Sequence, residues 1–132
     1  MVQISGAELR HYIGPEAAAR YLGEAPKPTA PPDRYRSKWE RLYAAYLDEQ
    51  KMLGVVQWWG YEVVRLRLAT GAYYKPDFLV IVKGSPWPEF HEVKGFWREA
   101  ARVRIKVAAE LHPWARFKIV QRKGGRWEIT GL

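Results

Sequence analysis

Two short apolar runs joined by a turn rich in glycine and proline constrain this chain more than any other stretch. The runs are Phe78–Val82 and Glu89–Val93, and the turn between them is Lys83–Pro88. Both runs are rich in β-branched and aromatic residues, which favour strands. The sequence therefore predicts a β-hairpin as the centre of the domain.

Charged residues stand in this hairpin where a buried strand should be apolar. Asp77 opens the first run, and Glu92 and Lys94 lie two residues apart in the second. Side chains two apart on a strand point to the same face of a sheet. Folding the hairpin brings Asp77 near Glu92 and Lys94, although a bulge would shift the pairing.

Two carboxylates at the edge of a core predict a bound cation. They lose hydration and repel each other, so that at least one tends to keep its proton. Mg²⁺ relieves this, because it prefers hard oxygen ligands and often takes one or two carboxylates together with a substrate phosphate. A nearby lysine can orient water or stabilise charge in the transition state. The group is typical of metal-assisted phosphodiester hydrolysis; the alternative is a hairpin with solvated charges at one end.

Composition points to a polyanionic partner. The 132 residues carry a formal net charge of +8, and the pI of about 9.8 favours nucleic acid. No apolar run approaches the ~20 residues that span a bilayer, no secretory signal is evident, and cysteine is absent. We expect a cytoplasmic protein with no membrane partner, and the lack of Asn and Cys hints at a thermophilic source.

The chain divides into an N-terminal helical appendage with a proline-rich linker, residues 1–34, and a domain over residues 35–132. The domain begins with a predicted helix, Arg36–Leu53, which Ser37 can cap. Glu40 has two interpretations, which are compatible. It can complete the capping box, or it can add an acidic group near the metal, as the family resemblance given below implies.

The remaining pattern predicts an α/β domain with a mixed central sheet. Val55–Leu68 is one strand or two strands around Gly60, and Ala115–Gln121 and Arg126–Ile129 follow a second helix, Phe96–His112. The order is αβββαββ, and the helix between two strands predicts a parallel pair. Trp58 and Trp59 are predicted to lie in the core or a subunit interface, or to stack on DNA bases.

The second helix has two predicted faces. Its apolar stripe comprises Ala100, Val103, Val107, Ala108 and Leu111. Its basic stripe comprises Arg98, Arg102 and Lys106, with Arg104 lying away from it. Such a stripe is either a solvated face or a contact for the phosphate backbone. Lys75, Arg36 and Lys38 are also predicted to contact DNA.

Other chemistries have less support. The histidines, at positions 11, 91 and 112, are scattered and have no cysteine partners, which disfavours a zinc site. His91 alternates to the face opposite Glu92 and is predicted to be structural. No phosphate-cradling glycine-rich loop occurs, so no small-molecule cofactor is expected. The serines lack a convincing histidine partner for acyl transfer.

Pro76-Asp77 followed by Glu92-Val93-Lys94 resembles the signature of the PD-(D/E)xK nuclease superfamily, over about residues 35–125. That resemblance implies a restriction-endonuclease-like core. The small size, the start ISGAELRHY and the block from Tyr73 to Phe96 look like archaeal-type Holliday junction resolvases and their phage-encoded relatives. Such resolvases are homodimers that cut two strands of a four-way DNA junction during recombination, with Mg²⁺ or Mn²⁺.

By position, the resemblance implies that Glu40, Asp77 and Glu92 are metal-site residues, that the Val93 carbonyl completes the site, and that Lys94 is catalytic. We therefore expect a structure-specific endonuclease acting on branched DNA, in the host cytoplasm if it is phage-encoded. Two alternatives stay open. One is a nicking or restriction-type nuclease, and the other is a non-catalytic basic DNA-binding protein.

Overall fold

The computed structural model describes residues 34–95 and 98–132. The predictions for residues 1–33 lie outside this range, so of the predicted appendage only Arg34 is described. The elements in chain order are helix α1 (Lys38–Met52), strands β1 (Val56–Tyr61), β2 (Leu66–Ala69), β3 (Ala72–Tyr74), β4 (Phe78–Val82) and β5 (Pro88–Val93), helix α2 (Glu99–Leu111), and strands β6 (Arg116–Lys123) and β7 (Arg126–Gly131).

A five-stranded mixed sheet forms the centre of the domain. Its order is β1-β4-β5-β6-β7, and β2 and β3 pair separately as an antiparallel ribbon. Only the pair β5–β6, which α2 connects, is parallel within this sheet. The predicted α/β class and the parallel pair are confirmed, and the last strand, β7, lies at an edge of the sheet. Within the described residues, the two helices and the five sheet strands follow the order αβββαββ, with the β2–β3 ribbon inserted between β1 and β4.

Of the two predicted alternatives for Val55–Leu68, the structure shows two strands, but the break does not lie at Gly60, because β1 continues through it to Tyr61. A Cβ atom at Gly60 would lie 2.6 Å from the Trp58 ring. The absence of a side chain at Gly60 therefore leaves space for the Trp58 indole, which lies against the strand. The break falls after Tyr61 instead, where Glu62 adopts a left-handed backbone with φ 49°.

Trp58 and Trp59 face opposite sides of the sheet, as neighbouring strand residues do. They are only 3% and 1% exposed and belong to two different core clusters. The alternatives of a subunit interface or a DNA-stacking surface are therefore wrong for both residues. The core prediction is confirmed, because each indole fills the space between the sheet and the element packed on that side.

Helix α1 covers one face of the sheet through Tyr43, Ala44 and Leu47, which are buried. The predicted helix end at Leu53 is close to the observed end at Met52. Trp39 and Leu42, although apolar, are about two-fifths exposed. The buried stripe instead begins with Glu40, at the same helical spacing as the apolar residues that follow it.

Helix α2 packs on the opposite face with a stripe different from the predicted one. Ile105 and Ala108 are buried, whereas Val103, Val107 and Leu111 are 51%, 37% and 50% exposed. The helix contacts both the ribbon and β6, and this pair of neighbours sets its rotation. Neither helix in residues 34–95 and 98–132 has the length and hydropathy of a membrane-spanning segment.

Ser37→Ala is expected to lower the free energy of unfolding by about 1 kcal/mol. Ser37 is the N-cap of α1, and its Oγ accepts a hydrogen bond from the Glu40 backbone N–H at 3.2 Å. Urea unfolding followed by circular dichroism measures the change. Ser37→Thr keeps the acceptor and should retain most of the stability, whereas equal stability of wild type and Ser37→Ala would contradict the capping role.

Candidate metal centre

Three acidic residues lie side by side at the ends of three neighbouring strands. Tyr61 pairs with Phe78, and Phe78 pairs with His91. Continuing that register by one residue places Glu62, Asp77 and Glu92 in one row. The Glu62 backbone N–H donates to the Asp77 carbonyl at 2.8 Å, which confirms the pairing at this edge. The row marks the end of the sheet at which the hairpin charges were predicted to meet.

Asp77 lies at the centre of this row and is 8% exposed. Its Oδ2 accepts a hydrogen bond from the Val93 backbone N–H at 2.8 Å, and its own N–H donates to Glu92 Oε2 at 3.3 Å. The hairpin therefore binds the Asp77 carboxylate on one side. The expected proximity of Asp77 to Glu92 is observed, and it requires no bulge in the β4–β5 pairing.

Glu92 is held on both carboxylate oxygens. Oε2 accepts a hydrogen bond from the Tyr74 hydroxyl at 2.5 Å, and Oε1 pairs with the Lys94 ammonium group at 2.9 Å. The shared face of Glu92 and Lys94 is therefore observed. Tyr74 belongs to the ribbon, so the ribbon positions a carboxylate of the central hairpin. Sequence reasoning missed this contact, because no helix or strand periodicity relates Tyr74 to Glu92.

Glu40 reaches the same end of the sheet from the first turn of α1. Its Oε1 accepts a hydrogen bond from the Tyr61 hydroxyl at 3.2 Å. One carboxylate oxygen from each of Glu40, Glu62 and Asp77 lies within 4.8 Å of the others. Of the two interpretations of Glu40, the structure therefore supports an acidic group in the site, while Ser37 alone supplies the observed side-chain cap.

Glu62 is the site residue that sequence reasoning missed. Its positive φ is uncommon for a residue other than glycine and costs of the order of 1–3 kcal/mol. This backbone ends β1 and turns the Glu62 carboxylate towards the cluster, where the Arg36 Nε lies 2.8 Å from its Oε1. The only sequence signal was an acidic residue directly after an apolar strand. We call Glu40, Glu62 and Asp77 the carboxylate triad.

Burial, together with the nearby charges of Glu92 and Glu40, raises the pKa of the Asp77 carboxyl to about 8. The Val93 N–H and Lys94 act in the opposite direction. Burial also raises the pKa of the Tyr74 hydroxyl, an effect that the charge of Glu92 reinforces. The protein surroundings by themselves therefore disfavour a negative charge on Asp77.

The donor set of the carboxylate triad fits a hard divalent cation. Mg²⁺ is bound by carboxylate oxygens in proteins, and a cation would relieve both the repulsion and the raised pKa of Asp77. Glu92 lies beside the triad, but Tyr74 and Lys94 already bind its oxygens. Val93, whose carbonyl was predicted as a ligand, ends β5 next to Asp77.

The cationic residues predicted to contact DNA occupy three places. Arg36 and Lys38 lie beside the start of α1, where Arg36 pairs with Glu62 and Lys38 lies over the Trp39 ring. Lys75 is exposed two residues before Asp77. Arg98, Arg102 and Lys106 are exposed on α2, and the last two line a cavity of about 200 Å³ between α2 and strands β6 and β7.

His91 is buried on the α1 side of the sheet and lies outside this site. Its Nδ1 is hydrogen bonded to the Tyr43 hydroxyl at 2.6 Å, and its Nε2 to Glu89 Oε1 at 2.8 Å. Burial lowers the pKa of the His91 ring, so the neutral ring accepts from Tyr43 and donates to Glu89. These contacts give His91 a role in packing, as expected from its alternation with Glu92.

The chain was also compared with known proteins. No protein-family model matches it, and neither the curated proteins nor the solved structures contain a significant match.

Proposed function

We propose that this protein is a metal-dependent endonuclease that hydrolyses phosphodiester bonds in branched DNA, with the four-way junction as its substrate. One observation carries the proposal. Asp77 lies between the Glu92–Lys94 pair on one side and the carboxylates of Glu40 and Glu62 on the other. Acidic oxygens and a lysine amine thus meet at one end of the sheet.

The fold supports an assignment to the PD-(D/E)xK superfamily. Asp77 precedes one strand of an antiparallel hairpin, Glu92 is the penultimate residue of the partner strand, and Lys94 follows that strand. The order αβββαββ around a mixed sheet agrees with the restriction-endonuclease-like core that the motif implies. The ribbon between β1 and β4 is then an insertion in this core.

The carboxylate triad would hold Mg²⁺ or Mn²⁺, with Glu92 and the Val93 carbonyl beside it. When bound, such a cation supplies Lewis-acid stabilisation of the charge that develops on the scissile phosphate. The protein positions these oxygens before any substrate arrives. The Val93 N–H holds Asp77, Tyr61 holds Glu40, and Tyr74 holds Glu92. Preorganised groups of this kind lower the reorganisation needed during the reaction.

Lys94 has a separate role in the proposed mechanism. Its side chain is 26% exposed while its amine pairs with the buried Glu92 carboxylate. The ion pair fixes the amine at the mouth of the site, where it can donate a hydrogen bond to the attacking water or to a phosphate oxygen. A fixed positive charge at this point stabilises the transition state more than the ground state.

Resolution of a four-way junction requires cuts in two strands. The protein would therefore act as a homodimer that presents two sites. The burial of Trp58 and Trp59 means that the dimer interface lies elsewhere on the surface. Equilibrium sedimentation of the full chain, alone and with a junction, measures the number of copies directly.

The expected result for the wild-type protein is Mg²⁺-dependent cleavage of a labelled four-way junction, with cuts placed symmetrically about the branch point. A linear duplex of the same sequence serves as the matched substrate, and EDTA replaces Mg²⁺ in the control. Cleavage of both substrates at equal rates would retain the nuclease and overturn the resolvase. Tight binding without cleavage would instead favour the non-catalytic DNA-binding protein.

A further inference from the structure

The β2–β3 ribbon has one buried face and one exposed face. Leu66 and Tyr74 pair with each other and are buried in the core cluster beneath α2, and Leu68 packs against the same cluster. Arg67 and Tyr73 pair with each other and point outward. Continuing the pairing by one residue adds Arg65 and Lys75, which are also exposed. We call these four outward residues, Arg65, Arg67, Tyr73 and Lys75, the ribbon face.

The ribbon face carries positive charge with no acidic residue among its neighbours in the chain. Residues 63–76 contain three cationic side chains and no Asp or Glu. The Arg65 guanidinium carbon lies 4.0 Å from the centre of the Tyr73 ring. This cation–π contact restricts the arginine while leaving its donors accessible. A restricted arginine loses less conformational entropy when it binds a phosphate.

The ribbon face is continuous with the candidate site. Lys75 is separated from Asp77 only by the buried Pro76, and Tyr74, on the other side of the same strand, donates to Glu92. A polyanion bound along the ribbon face would therefore extend to the carboxylates of the candidate site.

We propose that the ribbon face binds the phosphate backbone of the duplex DNA arm next to the cleaved bond, without reading its sequence. This inference rests on the proposed function, because it assigns the place of the substrate at the same site. Arginine and lysine contacts to phosphates position a protein on DNA and carry no sequence information. The ribbon face was not among the predicted DNA contacts, apart from Lys75.

The test compares Arg65→Gln/Arg67→Gln with a charge-matched control, Lys51→Gln/Lys83→Gln. Lys51 is in the last turn of α1 and Lys83 follows β4. Lys83 is thus at the opposite end of the strand from Asp77, about 20 Å away at about 3.3 Å per residue. All four residues are exposed. Fluorescence anisotropy with a labelled linear DNA duplex in EDTA measures affinity across a series of salt concentrations.

The ribbon variant is expected to bind the duplex about tenfold or more weakly at low salt, and to lower the slope of log affinity against log salt by about 2. The control should leave the slope at its wild-type value. Arg65→Lys/Arg67→Lys keeps the charge and should restore most of the slope. With junction below saturation, cleavage by the ribbon variant should fall in proportion to its loss of affinity.

An unchanged slope in the ribbon variant, or an equal loss in the control, would overturn the inference. The outcome for the proposed function is separate. If the wild-type protein binds DNA through the ribbon face but does not cleave it with Mg²⁺, the binding role of the ribbon face is retained and the nuclease activity is rejected. Cleavage that is insensitive to ribbon charge, with unaltered binding, would retain the nuclease and reject the ribbon face.

Discussion

Asp77→Asn is expected to reduce Mg²⁺-dependent junction cleavage by about 1,000-fold or more while leaving junction binding within a few-fold of wild type. Asp77 is the one carboxylate that belongs to the triad and also contacts Glu92 through its backbone. Asparagine keeps an acceptor for the Val93 N–H but removes the charge that a cation requires. Gel assays of single-turnover cleavage and of binding in EDTA measure the two effects separately.

The same substitution is expected to stabilise the metal-free protein above neutral pH. The Asp77 carboxyl has a pKa of about 8 in the folded chain, against about 3.9 in an unfolded chain. Between these values the folded state binds more protons, so stability falls as the pH rises towards 8. Asparagine removes this loss, and its amide can donate to the neighbouring carboxylates.

Thermal unfolding in EDTA between pH 5 and pH 9 tests this pH dependence. The midpoint of thermal unfolding of Asp77→Asn should rise relative to that of wild type as the pH rises. The difference should reach about 5 °C or more at pH 9, since 1 kcal/mol corresponds to about 4–8 °C for a domain of this size. Mg²⁺ should raise the midpoint of wild type only. Glu49→Gln, at an exposed position on α1, is the control. If Asp77→Asn lost DNA binding and stability together with cleavage, the assignment of Asp77 to the site would be rejected.

Lys94→Gln is expected to slow cleavage by about 100-fold to 1,000-fold while retaining cation binding. The substitution removes the ammonium group that pairs with Glu92 at 2.9 Å, whereas the triad oxygens stay in place. Single-turnover rates at saturating DNA measure the catalytic effect. Isothermal titration with Mn²⁺ measures cation binding without any turnover.

A purely structural role for Lys94 makes a different prediction. The variant would then lose stability, because Glu92 is buried and would lack its cation, but the folded fraction would cleave at the wild-type rate. Lys94→Arg, which keeps the charge, should restore stability in either case. Lys83→Gln removes an exposed lysine far from the site and should behave as wild type in all three assays.

Local patterns were sufficient to predict much of the hairpin and its chemistry. The alternation of side chains along a strand predicted that Glu92 and Lys94 share a face, and the glycine-rich turn predicted that Asp77 lies near them. Both contacts were predictable because each depends on a short stretch of the chain. The N-cap at Ser37 was equally local. For Glu40, a usable signal existed: it precedes Tyr43, Ala44 and Leu47 at helical spacing, and an acidic residue on a buried stripe indicates a buried partner.

Tertiary structure alone decided the rest of the site. Glu62 joins the triad because its left-handed backbone ends β1, and Tyr74 holds Glu92 because the ribbon folds under α2. The rotation of α2, which exposes Val103 and buries Ile105, also depends on that ribbon. The sequence by itself determined which residues form the hairpin, the cap and the central pair of charges. Only long-range packing, which no local periodicity encodes, determined which further carboxylates and which basic face surround them.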